Sequence, residues 1–293
     1  MNFTSKKPYY EHLRKKWIAK HRSLANKLFE KHKEVGRQLA VGGLGGLMLL
    51  TTPGTGIMPH QNILVAGGQI QKDTDNNILL AKDLEDKIPK EMRALTKEEE
   101  LEISGIVSKN TGFNVSAELE GKRLNRSYGV IGGEQHLYRF PGDNLHKHAD
   151  NAADWAMYGS SGIAPGLGAW GYFAPSEVQF DDKAKMQERY YLAVQTFLAP
   201  GFAERVAEYR DFFKFRKMLV VNPQTGQSVV AVIGDAGPAE WTGKHLGGSP
   251  EVMHFLGLSK GSRKGPVLYF FMDDPEDKIP LGPVKVEENL AQI

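Results

Sequence analysis

Two apolar runs near residue 220 constrain the fold more than any other feature of this sequence. Met218–Val221 and Ser228–Ile233 are apolar at almost every position, so neither run alternates between an apolar and a polar face. Such runs are typical of β-strands that are buried on both faces. Asn222-Pro-Gln-Thr-Gly226 between them has the composition of a hairpin loop. We therefore predict a buried β-hairpin, and the run Pro266–Met272 predicts a third strand of the same kind.

Capping residues predict one helix before these strands and one between them. Thr96-Lys-Glu-Glu99 matches a capping box, so we predict a helix that runs to about Lys109 and stops at Asn110-Thr-Gly112. Ser249, Pro250 and Glu251 predict the start of a short helix, which Gly257 ends.

A pair of helices is predicted between residues 182 and 214. Asp181 and Asp182 can cap a helix over about Lys183–Leu198, which Ala199-Pro-Gly201 breaks. A second helix is predicted over about Phe202–Phe213. Because strand-rich stretches flank this pair, we interpret residues 182–214 as a helical insertion.

The N-terminal region combines a basic helix with an apolar segment. Leu13, Trp17, Leu24, Leu28 and Val35 fall on one helix face among lysines and arginines, which is typical of a membrane-surface segment. A solvated helix docked on its own body is the alternative. The next twelve residues, 39–50, carry no charge. They have the length of a signal-peptide core and fall short of the ~20 residues of a membrane span. An export signal, a short anchor and a glycine-rich loop all stay open.

Charge is distributed unevenly along the chain. Residues 1–38 hold 11 Lys and Arg against 3 Asp and Glu, and the other 255 residues hold 26 against 32. A nucleic-acid-binding body should itself carry a basic patch, so we expect no nucleic-acid partner. The chain has no cysteine, which excludes disulfides, zinc–thiolate sites and thiol nucleophiles.

The string Val229-Val-Ala-Val-Ile-Gly-Asp235-Ala-Gly-Pro places a carboxyl at the end of a buried strand. Glycines on both sides let the backbone turn there. A carboxyl beside apolar walls tends to have a raised pKa and can act as a general acid. The alternative is that Asp235 only caps the turn.

The motifs around Asp235 follow one another in a definite order. After the hairpin loop come Val229–Val232, Gly-Asp235-Ala-Gly-Pro, and Ser249-Pro-Glu-Val-Met with Leu256-Gly257. This order resembles double-psi β-barrel proteins that act on cell-wall glycans: rare-lipoprotein-A-like lytic transglycosylases, expansin-like proteins and, in part, fungal-type chitosanases. Upstream, Trp155–Gly159 and Gly168–Tyr172 look like the first strand and glycine-rich turn of an expansin-like barrel. The resemblance covers about a quarter of the chain.

The resemblance implies that Asp235 is the catalytic aspartate and that Ser249 hydrogen-bonds to the substrate or to Asp235. Gly248 stands where transglycosylases and expansins have a second aspartate, so a two-carboxylate mechanism needs another acid. Glu134 is the first candidate, because Gly132-Gly-Glu-Gln-His136 is a polar cluster without an amphipathic pattern. Glu240 and Asp154 are further candidates. A lytic transglycosylase needs one carboxyl only, because the substrate's own hydroxyl attacks.

Aromatic side chains near these motifs suit a sugar polymer, since rings stack on the apolar faces of sugars. Trp170 and Trp241 are the best candidates, and Tyr158 and His136 are further candidates for substrate contact. His146 and His148 have the i, i+2 spacing at which two imidazoles on a strand face one side. No third ligand is evident, so we expect no metal and no cofactor.

These observations predict an α+β protein with a small double-psi-like β-barrel, a helical insertion and an N-terminal basic helix. The predicted parts are residues 1–58 (basic helix and apolar segment), 59–130 (linker and accessory region) and 131–293 (barrel). The predicted activity is cleavage of a β-1,4-linked amino-sugar polymer of the cell envelope, and an expansin-like binding or structural protein is the alternative. We expect a secreted or membrane-anchored protein, with membrane contact through residues 10–50.

Overall fold

The computed structural model describes residues 76–284. The predicted basic helix and the apolar segment lie outside the described residues. Within residues 76–284, no helix is both long and apolar enough to cross a membrane.

The first part of the described chain supplies helices and short strands. Residues 76–85 are helical, and helix α1 (Lys97–Thr111) follows. The predicted capping box is confirmed, because the Thr96 hydroxyl accepts a hydrogen bond from the Glu99 amide at 3.2 Å and the Glu99 carboxylate accepts one from the Thr96 amide at 2.8 Å. Gly112 ends α1 with φ 75°. Three two-residue strands come next: β1 (Val115–Ser116), β2 (Glu118–Leu119) and β3 (Lys122–Arg123).

Six strands close into a mixed β-barrel, which confirms the predicted α+β class with a small barrel. They are β4 (Tyr128–Gly133), β5 (Tyr191–Val194), β6 (Lys217–Val221), β7 (Ser228–Ala236), β8 (Leu246–Gly248) and β9 (Lys264–Met272). Around the barrel the order is β4, β8, β5, β7, β6, β9 and back to β4. The β4–β8 and β5–β7 pairs are parallel, and the other four pairs are antiparallel. The predicted boundary at residue 131 therefore falls inside β4.

The predicted hairpin and third strand are confirmed as β6, β7 and β9, and both faces of these strands are buried. Alternate residues such as Val220, Ile233 and Phe271 point into the barrel core. The residues between them, such as Leu219 and Phe270, belong to a second apolar cluster that also includes residues of α1. The barrel core thus accounts for one face of the apolar runs and the helical cover for the other.

Four shorter helices complete the described fold: α2 (Ala152–Tyr158), α3 (Asp182–Arg189), α4 (Val206–Phe213) and α5 (Pro250–Phe255). The predicted helix after Ser249 is confirmed as α5, whose first turn the Ser249 side chain caps. A last strand, β10 (Gly282–Pro283), pairs with β7 outside the ring.

Two secondary-structure predictions were wrong. The helix expected over Lys183–Leu198 ends at Arg189, and Tyr191–Val194 form barrel strand β5 between β7 and β8. Residues 182–214 are therefore not a purely helical insertion. The segment Trp155–Gly159, expected as a first barrel strand, belongs mostly to α2, which Asn151 caps by accepting from the Asp154 amide. In the first case the pairing partners of β5, which lie far away in the sequence, override a local helix signal.

Candidate functional site

A β-bulge turns Asp235 to the outer face of the barrel. In the parallel β5–β7 pair, Leu192 lies opposite Ile233 and Ala193 lies opposite Asp235, so Gly234 is an extra residue in β7. Bulges of this kind re-aim the side chains that follow them. Ile233 points into the barrel core, whereas Ala193 packs with Leu137 in a separate cluster outside it. Asp235 therefore shares the outer side of the barrel with Ala193.

The two oxygens of Asp235 have different environments. Oδ1 accepts hydrogen bonds from the backbone amides of Ala169 at 2.6 Å and Ala236 at 2.8 Å. Oδ2 has no hydrogen-bond partner among the residues that the structure describes. Burial raises the pKa of Asp235, and the two amide hydrogen bonds oppose that rise. The arrangement fixes one oxygen and leaves the other available to a ligand.

A tight turn holds the amide of Ala169 against Asp235. Gly171 has φ 79° and donates to the Gly168 carbonyl at 3.0 Å. The Trp170 indole donates to the Ile233 carbonyl at 3.0 Å, which ties the turn to β7. Trp170 is half-buried, and the Arg210 guanidinium lies 5.9 Å from its ring centroid. Trp170 therefore positions the turn that supports Asp235.

Glu134 lies on a floor of glycines beside β4 and β8. Its backbone amide donates to the Gly248 carbonyl at 2.8 Å. Its side chain covers Gly247, the Lys244 side chain covers Gly132, and the two side chains form an ion pair. The missing Cβ atoms at Gly132 and Gly247 leave the room that these long side chains occupy.

The strand register brings Asp235 and Glu134 to one side of the barrel. Gly132, Gly247, Ala193 and Asp235 stand opposite one another across β4, β8, β5 and β7. Neighbouring strands are about 4.8 Å apart, so the Gly247 backbone beneath Glu134 lies within about 10 Å of that of Asp235. Burial raises the pKa of Tyr191 well above its usual range, and the charges of Glu134 and Asp235 add to the rise.

Glu240 and Trp241 lie on an exposed turn after β7. The 3-10 helix Glu240–Thr242 carries both residues, and Trp241 is 89% exposed. Gln195 steadies the turn by donating to the carbonyls of Pro238 at 3.0 Å and Lys244 at 3.3 Å. The Glu240 carboxylate forms no ion pair within the described part of the chain.

Three other predicted contact residues, Ser249, Tyr158 and His136, are buried, and Asp154 is partly buried. Ser249 is fully buried; its hydroxyl donates to the Arg189 carbonyl at 2.5 Å and accepts from the Val252 amide at 3.2 Å. Tyr158 packs edge-on against His254, and His136 is 1% exposed. Asp154 forms an ion pair with Arg189 at 3.1 Å. In this structure none of these four side chains lies beside Asp235 on the open surface.

Sequence reasoning did not find two residues of this patch, Lys244 and Tyr191. Lys244 follows Trp241-Thr-Gly243, and nothing in that local pattern points to Glu134, which lies 110 positions away. The local sequence predicts a helix at Tyr191. In the structure its hydroxyl donates a hydrogen bond to the Gln135 carbonyl, next to Glu134. The pairing of β4 with β8 brings Lys244 to Glu134, and the pairing of β5 with β8 adds Tyr191.

Two cavities lie close to α4. A cleft of about 760 Å³ is lined by Lys183, Phe215, Lys217, Met272 and Asp277 among others, and holds none of the predicted site residues. A pocket of about 270 Å³ lies beside Trp170, Arg210 and Lys214. The smaller pocket therefore adjoins the turn that supports Asp235.

No protein-family model matches this chain, and no curated protein matches it either. The closed six-stranded mixed barrel is compatible with a double-psi barrel. The likeness to cell-wall glycan-acting proteins thus depends on the order of motifs and on this architecture.

Proposed function

We propose that this protein cleaves a β-1,4-linked amino-sugar polymer, peptidoglycan in the first place and otherwise chitin or chitosan, on a barrel of the double-psi type. The observation that carries the proposal is the placement of Asp235. A bulge turns this carboxyl outward, burial raises its pKa, and two backbone amides hold one oxygen. A carboxyl that keeps its proton can donate it to a glycosidic oxygen through the free Oδ2.

Glu134 is the second carboxylate of this proposal. It lies on the same outer face, and the ammonium of Lys244 balances its charge. Inverting glycosidases hold their two carboxyl groups about 6.5–9.5 Å apart, and Gly247, beneath Glu134, lies two strands away from Asp235 in the register. Glu134 would activate water or stabilise the oxocarbenium charge. Trp170 and the exposed Trp241 would stack on sugar rings.

A non-catalytic wall-binding protein of expansin type is the second candidate. Gly248 stands where the transglycosylases and expansins that this sequence resembles have a second aspartate. The Glu134 carboxylate is already paired with Lys244. Trp241 has an exposed ring that could bind a sugar without any catalysis. A binding protein would use these features without bond cleavage.

Location at the cell envelope is part of the same proposal. The basic segment 10–38 and the apolar segment 39–50 would place the barrel at or beyond a membrane surface. Flotation of the full chain with anionic lipid vesicles tests this, and a variant with residues 1–58 deleted is the control. Equal flotation of both proteins would contradict it.

The activity test compares the full-length wild type with Asp235→Asn. Both are incubated with purified peptidoglycan and with chitosan, and soluble products are identified by mass spectrometry. We expect the substitution to lower product release by ~10²–10⁴-fold, the range for loss of a general acid. Circular dichroism and polymer co-sedimentation should not change. Asp182→Asn, an exposed aspartate at the start of α3, is the matched control and should keep full activity.

The products and two further variants separate the candidates. If wild type and Glu240→Gln produce new reducing ends and Glu134→Gln does not, the protein is a hydrolase that uses Glu134. Anhydro-sugar ends that persist in Glu134→Gln indicate a lytic transglycosylase with Asp235 alone. Equal release by wild type and Asp235→Asn contradicts the mechanism. Binding of the polymer by both proteins without release supports the wall-binding candidate.

A further inference from the structure

A cluster of ionisable side chains is buried where three distant segments meet. His136 follows β4, His148 ends the 3-10 helix Leu145–His148, and Glu188 lies on α3. Their exposed fractions are 1%, 2% and 0%. One nitrogen or oxygen atom from each residue lies within 4.8 Å of the corresponding atoms of the other two.

Glu188 lies between the two histidine rings. Its Oε1 is 3.3 Å from His136 Nδ1, and its Oε2 is 3.3 Å from His148 Nδ1. Oε1 also accepts from the Leu137 amide at 3.2 Å, and Oε2 accepts from Arg139 Nε at 2.8 Å. Each carboxylate oxygen has two lone pairs, so one remains on each oxygen beyond these two hydrogen bonds.

Each histidine has one ring nitrogen that lacks a hydrogen-bond partner in the described structure, while His136 Nδ1 lies within hydrogen-bond distance of Glu188 Oε1. His148 Nε2 lies 2.9 Å from Asp143 Oδ2, and because an ionised carboxylate only accepts, Nε2 carries the hydrogen. Nδ1 of the neutral ring then directs a lone pair toward Glu188 Oε2, another acceptor, and has no hydrogen-bond partner in the described structure. His136 Nε2 also has none there. Two acceptors that face each other in a buried site need a proton or a metal ion between them.

We propose that His136, His148 and Glu188 bind a divalent transition-metal ion of the zinc class. Two imidazoles and one carboxylate are a ligand set that zinc uses, with bonds of about 2.0–2.1 Å. Tetrahedral ligands at that radius are about 3.3 Å apart, which is the distance between His148 Nδ1 and Glu188 Oε2. Asp143 holds the outer nitrogen of His148, as carboxylates commonly do behind metal-bound histidines.

The ion would join segments that are far apart in sequence. It would connect the loop after β4, the 3-10 helix at residue 148 and α3, which leads directly into β5. His136 lies two residues after Glu134, so the ion would also fix the backbone beside the patch of Glu134 and Asp235. The site does not depend on the proposed glycan cleavage.

The test measures zinc binding by the full-length chain. Wild-type protein is stripped with a chelator and titrated with Zn²⁺ by isothermal titration calorimetry; bound metal is then counted after gel filtration. We expect one ion per chain and a higher midpoint of thermal unfolding with zinc. His136→Ala and His148→Ala should weaken binding by about 100-fold or more, since outer-shell changes alone cost about 10–100-fold. His146→Ala is the matched control. This exposed ring only stacks on Trp155, so its loss should not change zinc affinity.

Each outcome supports or overturns the proposal. Wild-type protein that binds no zinc would show that protons alone occupy the cluster. Unchanged binding in both alanine variants would place the ion on other residues. If these variants do not fold, X-ray absorption of the wild-type Co²⁺ form decides: two imidazole ligands support the site, and none overturns it. Loss of glycan cleavage in Asp235→Asn with zinc binding intact keeps the two proposals separate.

Discussion

Gly234 lies where β5 and β7 approach closely, and it determines which way Asp235 faces. A Cβ atom at residue 234 would be 2.6 Å from the Tyr191 Cβ, a distance that no side chain tolerates. Because strand side chains alternate, Asp235 would follow Ile233 into the barrel core if Gly234 were an ordinary member of the ladder. The extra residue therefore allows a carboxyl to stand outside the barrel at the end of a buried strand.

Gly234→Ala should destabilise the protein. We expect the free energy of unfolding to fall by about 1–3 kcal/mol, because Tyr191 or the β5 backbone must move to admit the methyl group. Chemical denaturation measures the change. The control is Gly105→Ala on α1, where an added Cβ meets nothing within 4 Å, and which should stabilise by about 0.5–1 kcal/mol. A Gly234→Ala protein as stable as wild type would contradict the bulge argument.

Glu251 is a buried acid that should make stability depend on pH. Burial raises its pKa to about 8, the charge of Glu188 adds to the rise, and the charges of Arg189 and Arg139 oppose it. Neither carboxylate oxygen has a hydrogen-bond partner in the described structure. The unfolded chain releases this proton near pH 4.3, so between about pH 4 and pH 8 it binds fewer protons than the folded chain. The free energy of unfolding contributed by this group therefore falls as pH rises through that window.

Glu251→Gln removes this titration. We expect the stability of the variant relative to wild type to rise from about pH 4 to about pH 8, by ~5 kcal/mol in total, and then to level off. Urea unfolding across this range, with chelator present, measures the difference. A difference that does not change with pH would show that Glu251 is ionised in the folded state throughout.

At the scale of elements, local signals identified some parts of the fold and missed others. The capping box of α1, the hairpin of β6 and β7 and the cap of α5 are contained within a few consecutive residues, and all three were predicted. Strand β5 has only four residues and follows a helix. Its hydrogen-bonding partners, β7 and β8, lie 34 or more positions away in the sequence. A local sequence pattern does not indicate such distant pairing, and the local pattern of β5 predicts a helix.

The same distinction holds for the candidate site. The position of Asp235 at the end of an apolar strand indicates a functional carboxyl. The strand register that places it opposite Ala193 cannot be predicted from the local sequence. The pairing of Glu134 with Lys244 spans 110 positions. His136 and Glu188 are 52 positions apart, and no spacing motif links them.

Leu192→Ala tests the role of β5 as a core strand. Leu192 is fully buried in the barrel core, so we expect a loss of about 2–5 kcal/mol in the free energy of unfolding. Leu101→Ala removes the same atoms from a side chain that is 77% exposed on α1, and should change stability by less than about 0.5 kcal/mol. Equal effects of the two substitutions would argue against a buried β5.

At the scale of the whole molecule, the barrel is closed by its first and last strands. β9 pairs with β4 from Tyr128 opposite Leu268 to Gly132 opposite Lys264, and its other edge pairs with β6. The ring therefore contains contacts between residues 132 to 140 positions apart. Every other barrel strand lies between these two in the sequence, so no shorter piece of the chain contains the complete ring.

Deletion of residues 264–293 should abolish cooperative unfolding. The shortened chain lacks β9 and leaves β4 and β6 each without a partner on one side. Thermal unfolding followed by circular dichroism measures the transition. Deletion of residues 285–293 alone is the control; it keeps every described strand and should retain a sharp transition. A sharp transition in the shorter chain would show that the ring is dispensable.

The position of β9 in the ring also has a consequence for synthesis on the ribosome. Translation proceeds from the N-terminus, so β4 through β8 emerge before their closing partner is made. During that interval β4 and β6 present unpaired backbone groups, which are templates for pairing with other chains. The barrel therefore cannot close until residue 272 has left the exit tunnel.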